Sequence, residues 1–563
     1  MRDRSPPTRP IDGRPVRPIR CRVPTHSPED DRDDDAASHS IPVTRIGMFG
    51  WGIVAPRSPD IDAFATHLAS AASWLEPFNG FGPDTFLVGV PDFDFARYRD
   101  WVSARFPPRK FSQLDEKMDY PTRYAIGAFV QALGQNPGIE AELQALGTAA
   151  HVYVGCGLGA VGTIADATLE LFHAQRRWDR HWADPARNPR LASYLGGDHA
   201  SAPDAPPPPT DADPDARVRA EGRWWRYWAA RSPGLHDYLA RLAEIESRNV
   251  EGEIEAGKMR VMKDKARRTE RLERETGAPP PPWKCVTANA VWNIHNTPAA
   301  QISMLGRITG LAFAPVGACS TFGLALKLAM DAIRRGEARA VVVGATDPPP
   351  HPLVVGAFYR ARVISADAGV SMPLHGLRGT HVAGGSVVWI VGDYDYFTAQ
   401  GYRPLGMEPV AVGMTSDAHH IITPTKEGPL AAITQALEEA HASPGDIGSW
   451  DLHATATPGD YLEVENLRDL LPASVLVTAR KGTFGHGMAG GGGWELTAQY
   501  LGYERGALFP TPLPATSLHP SIARLHDFFV FDRAVAAPPG LAGKLSMGIG
   551  GINACVLSRP WPR

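Results

Sequence analysis

Paired cysteines, a strong net charge and long apolar runs are all missing from this chain of 563 residues. Its five cysteines, at positions 21, 156, 285, 319 and 555, follow no paired spacing, which argues against a disulfide framework and favours a reducing compartment. The net charge of −4 gives no indication of a nucleic-acid partner. No apolar run reaches membrane-spanning length, and the N-terminus lacks the apolar core of a signal peptide. We therefore expect a cytoplasmic protein that binds neither nucleic acid nor membrane.

The distribution of polar residues divides the chain near residue 43. Residues 1–42 mix arginine, proline and an acidic run with almost nothing to bury, so we expect a disordered N-terminal extension. Beyond it, predicted strands alternate with predicted helices. The first strand is predicted at 43–49, and the helix after it has Ile61, Phe64 and Leu68 on one face. Such alternation is typical of mainly parallel sheets covered by helices on both faces.

Three motifs that could indicate a cofactor or a metal are incomplete. The glycines of 157–162 match a dinucleotide-binding turn, but no second strand ending in an acid follows at the needed distance. The glycine run 490–493 lacks the Lys-Ser/Thr pair of a phosphate-binding loop. His419 and His420 have no partner at metal-ligand spacing. We predict neither a bound cofactor nor a metal site.

Cys319 lies between a predicted strand at 311–316 and a long apolar helix predicted at 322–333. At a helix N-terminus, unpaired N–H groups and the positive end of the helix dipole lower a thiol pKa. A lower pKa makes the cysteine a better nucleophile. The alternative is a small buried cysteine with no chemical role.

Three downstream segments favour the nucleophile. His453 opens the sequence His-Ala-Thr-Ala-Thr-Pro-Gly-Asp at the end of a predicted strand. Lys481 opens Lys-Gly-Thr-Phe-Gly-His, which ends at His486, and Glu495 follows on the next segment. Residues 546–554 are Ser-Met-Gly-Ile-Gly-Gly-Ile-Asn-Ala. Each segment is a weak signal alone, but the four elements in this order are a strong one.

Together these motifs resemble those of the β-ketoacyl-acyl-carrier-protein synthases, the elongating condensing enzymes of the thiolase superfamily. The resemblance extends from about residue 43 to the end of the chain. It implies an α/β thiolase-like fold of two similar halves in an α/β/α/β/α layering. The halves would be 43–402, with a large, mostly helical insertion at 176–282, and 403–563. Members of the family are typically homodimers, so a homodimer is expected here.

The resemblance also implies an acyltransferase activity and a set of site residues. The reaction would be a decarboxylative Claisen condensation of a malonyl thioester with an acyl group held on Cys319. An acyl carrier protein would present the substrates on its phosphopantetheine arm, in fatty acid or related lipid or polyketide synthesis. The implied catalytic residues are Cys319, His453, His486 and Lys481. The implied substrate-binding residues are Thr455, Thr457, Ile549 and Glu495.

The resemblance assigns a role to each of these groups. Neutral imidazoles at His453 and His486 would donate N–H groups to the thioester oxygen, where negative charge develops. Lys481, helped by Glu495, would support the second histidine electrostatically. The backbone N–H groups of Cys319 and Ile549 would form a separate oxyanion hole for acyl transfer.

Departures from the family pattern leave alternatives open. Ile549 stands where the family usually has a gatekeeper phenylalanine, and Ala454 replaces a glycine. A specialised polyketide ketosynthase or a non-elongating acyltransferase is therefore an alternative. A non-catalytic partner subunit fits less well, because such partners usually lack the nucleophile that Cys319 supplies.

The insertion has predicted helices at 217–247 and 250–275. Within the second helix, residues 258–274 have eight basic and three acidic side chains, a local charge of +5. This helix is either a solvated face or a docking surface for an acidic partner such as a carrier protein. We expect the insertion to pack its tryptophans, among them Trp224 and Trp228, against the core near the active-site entrance.

Overall fold

The computed structural model describes residues 44–83, 85–250, 254–513, 515–525, 529–530 and 532–562, so the predicted disorder at 1–42 lies outside the described residues. Its strands are β1 (Ile46–Val54), β2 (Glu76–Pro77), β3 (Leu87–Val88), β4 (Ala150–Cys156), β5 (Ala312–Phe313), β6 (Ala340–Asp347), β7 (Gly385–Asp393), β8 (Met407–Ser416), β9 (Ile447–Asp451), β10 (Leu476–Thr478), β11 (Ala507–Leu508), β12 (Phe529–Val530), β13 (Val535–Ala536), β14 (Leu541–Gly548) and β15 (Ile552–Pro560). Its α-helices are α1 (Ile61–Ala69), α2 (Arg99–Ser103), α3 (Arg109–Lys117), α4 (Tyr120–Leu133), α5 (Ile139–Ala145), α6 (Val161–Ala183), α7 (Pro189–Leu195), α8 (Pro214–Ala229), α9 (Pro233–Glu246), α10 (Ile254–Thr276), α11 (Pro282–Cys285), α12 (Asn289–Trp292), α13 (Thr297–Gly306), α14 (Thr321–Arg334), α15 (Pro352–Arg360), α16 (Tyr394–Ala399), α17 (Glu427–Glu439), α18 (Gly459–Leu470), α19 (Lys481–Phe484), α20 (Met488–Arg505) and α21 (Pro520–Leu525). None of these helices is both long and apolar enough to cross a bilayer.

Two mixed sheets repeat one topology. The first sheet has the order β1–β7–β6–β4–β5, with β7 antiparallel to both neighbours and β6, β4 and β5 parallel. The second has the order β8–β15–β14–β9–β10–β12, with β15 antiparallel to both neighbours and the remaining pairs parallel. Each strand of the first sheet therefore has a counterpart of the same direction in the second. The strands of the two sheets fall on either side of the predicted division at 402/403, which stays a prediction.

Helices form layers outside and between the sheets. Helices α4 and α13 cover the outer face of the first sheet, and α17 covers that of the second. Helices α14 and α20 contact strands of both sheets and so form a central layer. The result is the α/β/α/β/α layering that the resemblance implied.

Side chains alternate along β7 between the layers. Val387 and Trp389 belong to the central core, whereas Val388 and Ile390 belong to the outer core under α4 and α13. This period of two, with both faces buried, is the pattern of strands covered by helices on both sides.

The glycine run at the start of α20 lies in the central layer. A Cβ atom at Gly493 would be 2.4 Å from Cγ1 of Val387. The run therefore allows the backbone of α20 to approach the first sheet closely. This close packing is a structural reason for the glycines.

Two predicted elements are shorter than expected. The strand predicted at 311–316 is only Ala312–Phe313, and Pro315 beyond it has no N–H for a ladder hydrogen bond. The helix predicted at 217–247 is split into α8 and α9. Ser232 caps α9, its hydroxyl oxygen accepting from the Leu235 N–H, and Pro233 takes the first helical position.

The insertion is built differently from our expectation. Its predicted start at residue 176 lies inside α6. Its tryptophans do not pack against the main core. Trp224 and Trp228 form one small cluster with Leu191, and Trp178 and Trp182 form another with Leu235 and Tyr238. The insertion therefore buries its large aromatic side chains on its own helices.

Much of the positive charge on α10 is paired. Arg267 and Arg268 lie 4.0 and 2.8 Å from Asp264, and Arg271 lies 2.7 Å from Glu275. Exposed pairs of this kind contribute little to stability but reduce the charge that a partner would meet. Docking of an acidic partner on this helix stays a prediction.

Candidate active site

Six of the eight predicted site residues line one cavity of about 360 Å³. Cys319 lies in the 3₁₀ turn Ala318–Ser320 at the start of α14. His453 follows β9, His486 lies between α19 and α20, and Ile549 lies in the turn between β14 and β15. Thr455 and Thr457 complete the set. Lys481 and Glu495 lie behind it.

The nucleophile turn is strained and firmly held. Ala318 has φ 49°, a left-handed conformation that costs energy in a residue with a side chain. The Ser320 hydroxyl lies 3.0 Å from the carbonyl oxygen of Ser546 and 2.8 Å from that of Ile552. A Cβ atom at Gly548 would be 2.7 Å from the Gly317 carbonyl oxygen, so glycine is needed where the β14–β15 hairpin meets the turn. Sulfur and hairpin are thus fixed relative to each other.

The resting thiol differs from the sequence-based expectation. Burial raises the pKa of Cys319 to about 11, although the Ile549 N–H and the charge of Lys481 act in the opposite direction. The prediction of a lowered pKa was wrong, because a helix start gives a partial charge whereas full burial removes the thiolate from water. The sulfur lies 3.0 Å from Nε2 of His486. A protonated thiol therefore sits beside an imidazole nitrogen.

Both histidines are held in the neutral form. Their ring centroids are 5.4 Å apart, with the planes at 83°. Burial lowers the pKa of both imidazoles well below its usual value, and the charge of Lys481 lowers them further. A neutral imidazole has one N–H donor, so each ring can offer a hydrogen bond to an oxygen in the cavity.

The main chain of His453 is fixed by charged side chains. The two carboxylate oxygens of Glu463 accept from the N–H groups of His453 and Ala454 at 2.7 and 2.8 Å. The Lys481 ammonium donates to the His453 carbonyl at 2.5 Å and to Glu495 Oε1 at 2.6 Å. Lys481 therefore contacts the first histidine, whereas the sequence led us to expect support of the second.

The two threonines lie on a loop that Asp460 organises. The Thr455 and Thr457 hydroxyl oxygens are 2.9 Å apart. Asp460 accepts from the N–H groups of Thr455 at 2.8 Å and of Leu374 at 2.9 Å. The loop thus presents two hydroxyl groups to the cavity.

Glu495 is placed differently from a substrate-binding residue. It is fully buried, and it pairs with Lys481 and Lys544 rather than lining the cavity. Its position fits an electrostatic role, which the sequence also suggested for it.

Sequence reasoning missed several buried charged groups near the site. They are Asp347, Asp451, Arg480 and Lys544. The available signal was a charged residue within an otherwise apolar strand, as at Lys544 in Leu-Ala-Gly-Lys-Leu-Ser-Met-Gly. A charge in such a strand has to be paired when the strand is buried.

Two family models match the chain. The model described as Beta-ketoacyl synthase, N-terminal domain, matches residues 263–391, and that described as Beta-ketoacyl synthase, C-terminal domain, matches residues 408–513.

Curated relatives match over part of their length. Nodulation protein E of Rhizobium sp. (strain N33) is 28% identical over 218 residues, which is 38% of this chain and 54% of that protein. A 3-oxoacyl-acyl-carrier-protein synthase homolog of Saccharomyces cerevisiae is 29% identical over 284 residues, 48% of this chain and 63% of that protein. The chain therefore spans little more than half the length of these relatives.

Solved structures share the fold. A Beta-ketoacyl synthase from Burkholderia phymatum STM815 gives a TM-score of 0.63 at 17% identity, over 92% of this chain and 100% of that one. A ketosynthase in complex with a type II PKS acyl-carrier protein gives a TM-score of 0.59 at 16% identity with the same coverage. These likenesses confirm the predicted fold.

We expect Cys319 to react slowly with iodoacetamide at neutral pH, because its raised thiol pKa leaves little thiolate. The alkylation rate should rise about tenfold per pH unit up to pH ~10. Mass spectrometry of the Cys319 peptide measures it, and the partly exposed Cys285 in the same digest is the control. A rate independent of pH below pH ~8 would contradict a protonated resting thiol.

Proposed function

We propose that the chain is a β-ketoacyl synthase of the thiolase superfamily and that it catalyses a decarboxylative Claisen condensation. A malonyl thioester would condense with an acyl group held on Cys319 and give a β-ketoacyl thioester two carbons longer. The observation that carries this proposal is the cavity in which the Cys319 sulfur lies 3.0 Å from His486 beside a second neutral histidine.

The first half-reaction is acyl transfer to Cys319. The sulfur attacks the thioester carbonyl, and Nε2 of His486 accepts the thiol proton as the new C–S bond forms. The N–H groups of Cys319 and Ile549 both lower the thiol pKa, which supports their pointing towards the sulfur. In that position they can stabilise the oxyanion of the tetrahedral intermediate. The thiolate of the carrier's phosphopantetheine arm leaves and takes from His486 the proton that came from Cys319.

The second half-reaction breaks the C–C bond to the malonyl carboxylate. CO₂ leaves, and the electron pair of that bond forms an enolate whose oxygen accepts hydrogen bonds from N–H groups of His453 and His486. For His486 the proton is then on Nε2, because the acylated sulfur no longer donates to that nitrogen. The enolate carbon then attacks the acyl carbonyl on Cys319. The C–S bond breaks, and the released thiolate of Cys319 takes a proton that comes from water, because its original proton left with the carrier thiol. Neutral imidazoles suit this step because they donate without protonating the enolate carbon.

We propose an acyl carrier protein as the partner that presents both substrates on its phosphopantetheine arm. The name of the yeast relative and the solved complex of a ketosynthase with a carrier protein support this choice. No further cofactor is needed by the two half-reactions. A cytoplasmic location is supported by the free thiols of the four cysteines in the described residues.

Two alternatives differ in the product. A specialised polyketide ketosynthase is favoured by Ile549, which lines the cavity where an aromatic gate is usual in the family. A non-elongating acyltransferase would acylate Cys319 without releasing CO₂. A non-catalytic partner subunit is not supported, because the nucleophile and both histidines share one cavity.

We also propose a homodimer that forms through the edge of the first sheet. Among the described residues β5 is paired on one side only, by β4. Leu311 and Val316 flank it with about half of their surface exposed, and Trp292 is similarly exposed nearby in sequence. An edge strand flanked by apolar side chains is suited to pairing with a second copy.

Measuring the two half-reactions separately tests the function. We expect His453→Ala to slow CO₂ release from malonyl-carrier about 10²–10³-fold and to spare acylation of Cys319, because enolate charge forms only in the second step. His486→Ala should slow both steps, since it also accepts the thiol proton. Cys319→Ala should abolish acylation, and His441→Ala, an exposed histidine, is the control. Condensation at the wild-type rate in His453→Ala would exclude this mechanism.

Ile549→Phe should shorten or shift the range of accepted acyl chains. Ile549 lines the cavity with 37% of its surface exposed, and its β-branched side chain cannot swing as an aromatic gate would. Competition among acyl-carriers of different length, read by mass spectrometry, measures the change, with Ile549→Val as the matched control. An unchanged profile would remove position 549 as a determinant.

Leu311→Glu should convert the dimer to monomer in sedimentation velocity, because it places a charge at the proposed edge contact. Leu195→Glu on α7 is the control, since Leu195 has a similar exposed fraction of 57%. A wild-type monomer, or a Leu311→Glu dimer as stable as the wild type, would argue against pairing through β5.

A further inference from the structure

Lys544 is a buried cation next to the active site that none of the motifs includes. It lies in the middle of β14 with 1% of its surface exposed. An ammonium group taken out of water is strongly unfavourable unless it is paired and hydrogen-bonded. The groups that pair with it therefore indicate what it does.

Lys544 contacts the same carboxylate as Lys481, that of Glu495, and the same stretch of main chain, at Leu452 and His453. The Lys544 ammonium lies 2.9 Å from Glu495 Oε2, whereas Lys481 lies 2.6 Å from Oε1. It also donates to the carbonyl of Leu452 at 3.5 Å and to that of Leu545. The two lysines, from α19 and β14, therefore share one carboxylate from α20.

The carbonyl contacts fall on consecutive residues. Lys544 reaches the carbonyl of Leu452 and Lys481 that of His453, while Glu463 accepts from the His453 N–H. The backbone that directs the His453 ring into the cavity is thus held by three charged side chains from three elements. Removing one of them leaves a gap in a fully buried network.

We propose that Lys544 is a second positioning cation of this site: with Lys481 it holds Glu495 and the main chain at His453, and it adds a second positive charge beneath the two imidazoles. The inference rests on the proposed function, because neutral N–H donors are what decarboxylation requires.

The charge balance around the rings supports the second part. The buried titratable and charged groups around the site are Cys319, Asp347, Asp451, Asp460, Glu463, Arg480, Lys481, Glu495 and Lys544. Of these, Lys481 and Lys544 act on the charge of the two imidazoles. Arg480 pairs with Asp451 at 2.6 Å. Within the group formed by Lys481, Glu495 and Lys544, two ammonium groups face one carboxylate. Burial lowers the pKa of both imidazoles most and Lys481 next; the charge of Lys544 lowers both further, for His453 after that of His486.

The sign of the pH effect follows from these causes. Removing the Lys544 charge lets the pKa of both imidazoles rise towards its usual value. A larger fraction of the imidazoles is then protonated at a given acidic pH. Under the proposed function the active form has both imidazoles neutral, so the protonated fraction is inactive. The acid limb of CO₂ release should move to higher pH.

The test is the pH profile of CO₂ release from malonyl-carrier in a Cys319→Ala background, which removes the titration of the thiol. We expect Lys544→Met to move the acid limb up by about one pH unit. Lys544→Arg, which keeps the charge, should leave the limb in place. Leu545→Met, a neighbouring buried substitution on the same strand, is the matched control. Circular dichroism establishes that each variant is folded, and Lys544→Gln replaces Lys544→Met should the latter not fold.

A shift in the uncharged variants with none in Lys544→Arg supports the proposal. A loss of rate that is equal at every pH, or an unshifted limb in folded Lys544→Met or Lys544→Gln, overturns it and leaves Lys544 as a packing residue. Absence of CO₂ release in the Cys319→Ala parent at every pH, together with none in the wild type, would instead refute the proposed condensation.

Discussion

Charge buried beneath two neutral histidines is the constraint on which the site depends. Lys481, Glu495 and Lys544 each have 3% or less of their surface exposed. Burial of such groups is strongly unfavourable unless the charges are paired, and here the two oxygens of Glu495 lie 2.6 Å from the Lys481 ammonium and 2.9 Å from that of Lys544. Because these charges are fixed in place, the field that they create in the cavity is fixed too. Burial and these charges together keep both imidazoles neutral in the resting site.

The fold assembles this site from both sheets. Cys319 precedes α14 of the central layer, and His453 follows β9 of the second sheet. Glu495 lies on α20, whose glycines let it run close to the first sheet. Ser320 ties the nucleophile turn to the β14–β15 hairpin of the second sheet. The cavity therefore exists only where the two repeated topologies meet, since neither sheet alone supplies both the sulfur and the histidines.

The alternation of strands and helices predicted an α/β architecture, and the resemblance of short motifs to those of the β-ketoacyl synthases implied its layering and the main residues of the cavity. The thiol pKa was predicted with the wrong sign, since the local effect of a helix start is outweighed by burial, which only the folded chain defines. Lys544 was missed for the same reason: its partner Glu495 is 49 residues away on another element. The tryptophans of the insertion were placed against the wrong surface. An apolar side chain indicates that it is buried but not what it is buried against, and Trp228 is buried on its own insertion.

The protonation states of Cys319 and His486 connect the structure to the order of chemical steps. Full burial disfavours both a thiolate and an imidazolium, so the resting pair is uncharged despite the 3.0 Å separation. Under the proposed function, charge develops only when a thioester carbonyl lies against the N–H groups of Cys319 and Ile549, which hold the oxyanion. The negative charge then moves from the sulfur to the carbonyl oxygen, to which these two N–H groups donate hydrogen bonds. The reactivity of the nucleophile is therefore switched on by substrate in the cavity, and a buried, protonated thiol is protected from other electrophiles between turnovers.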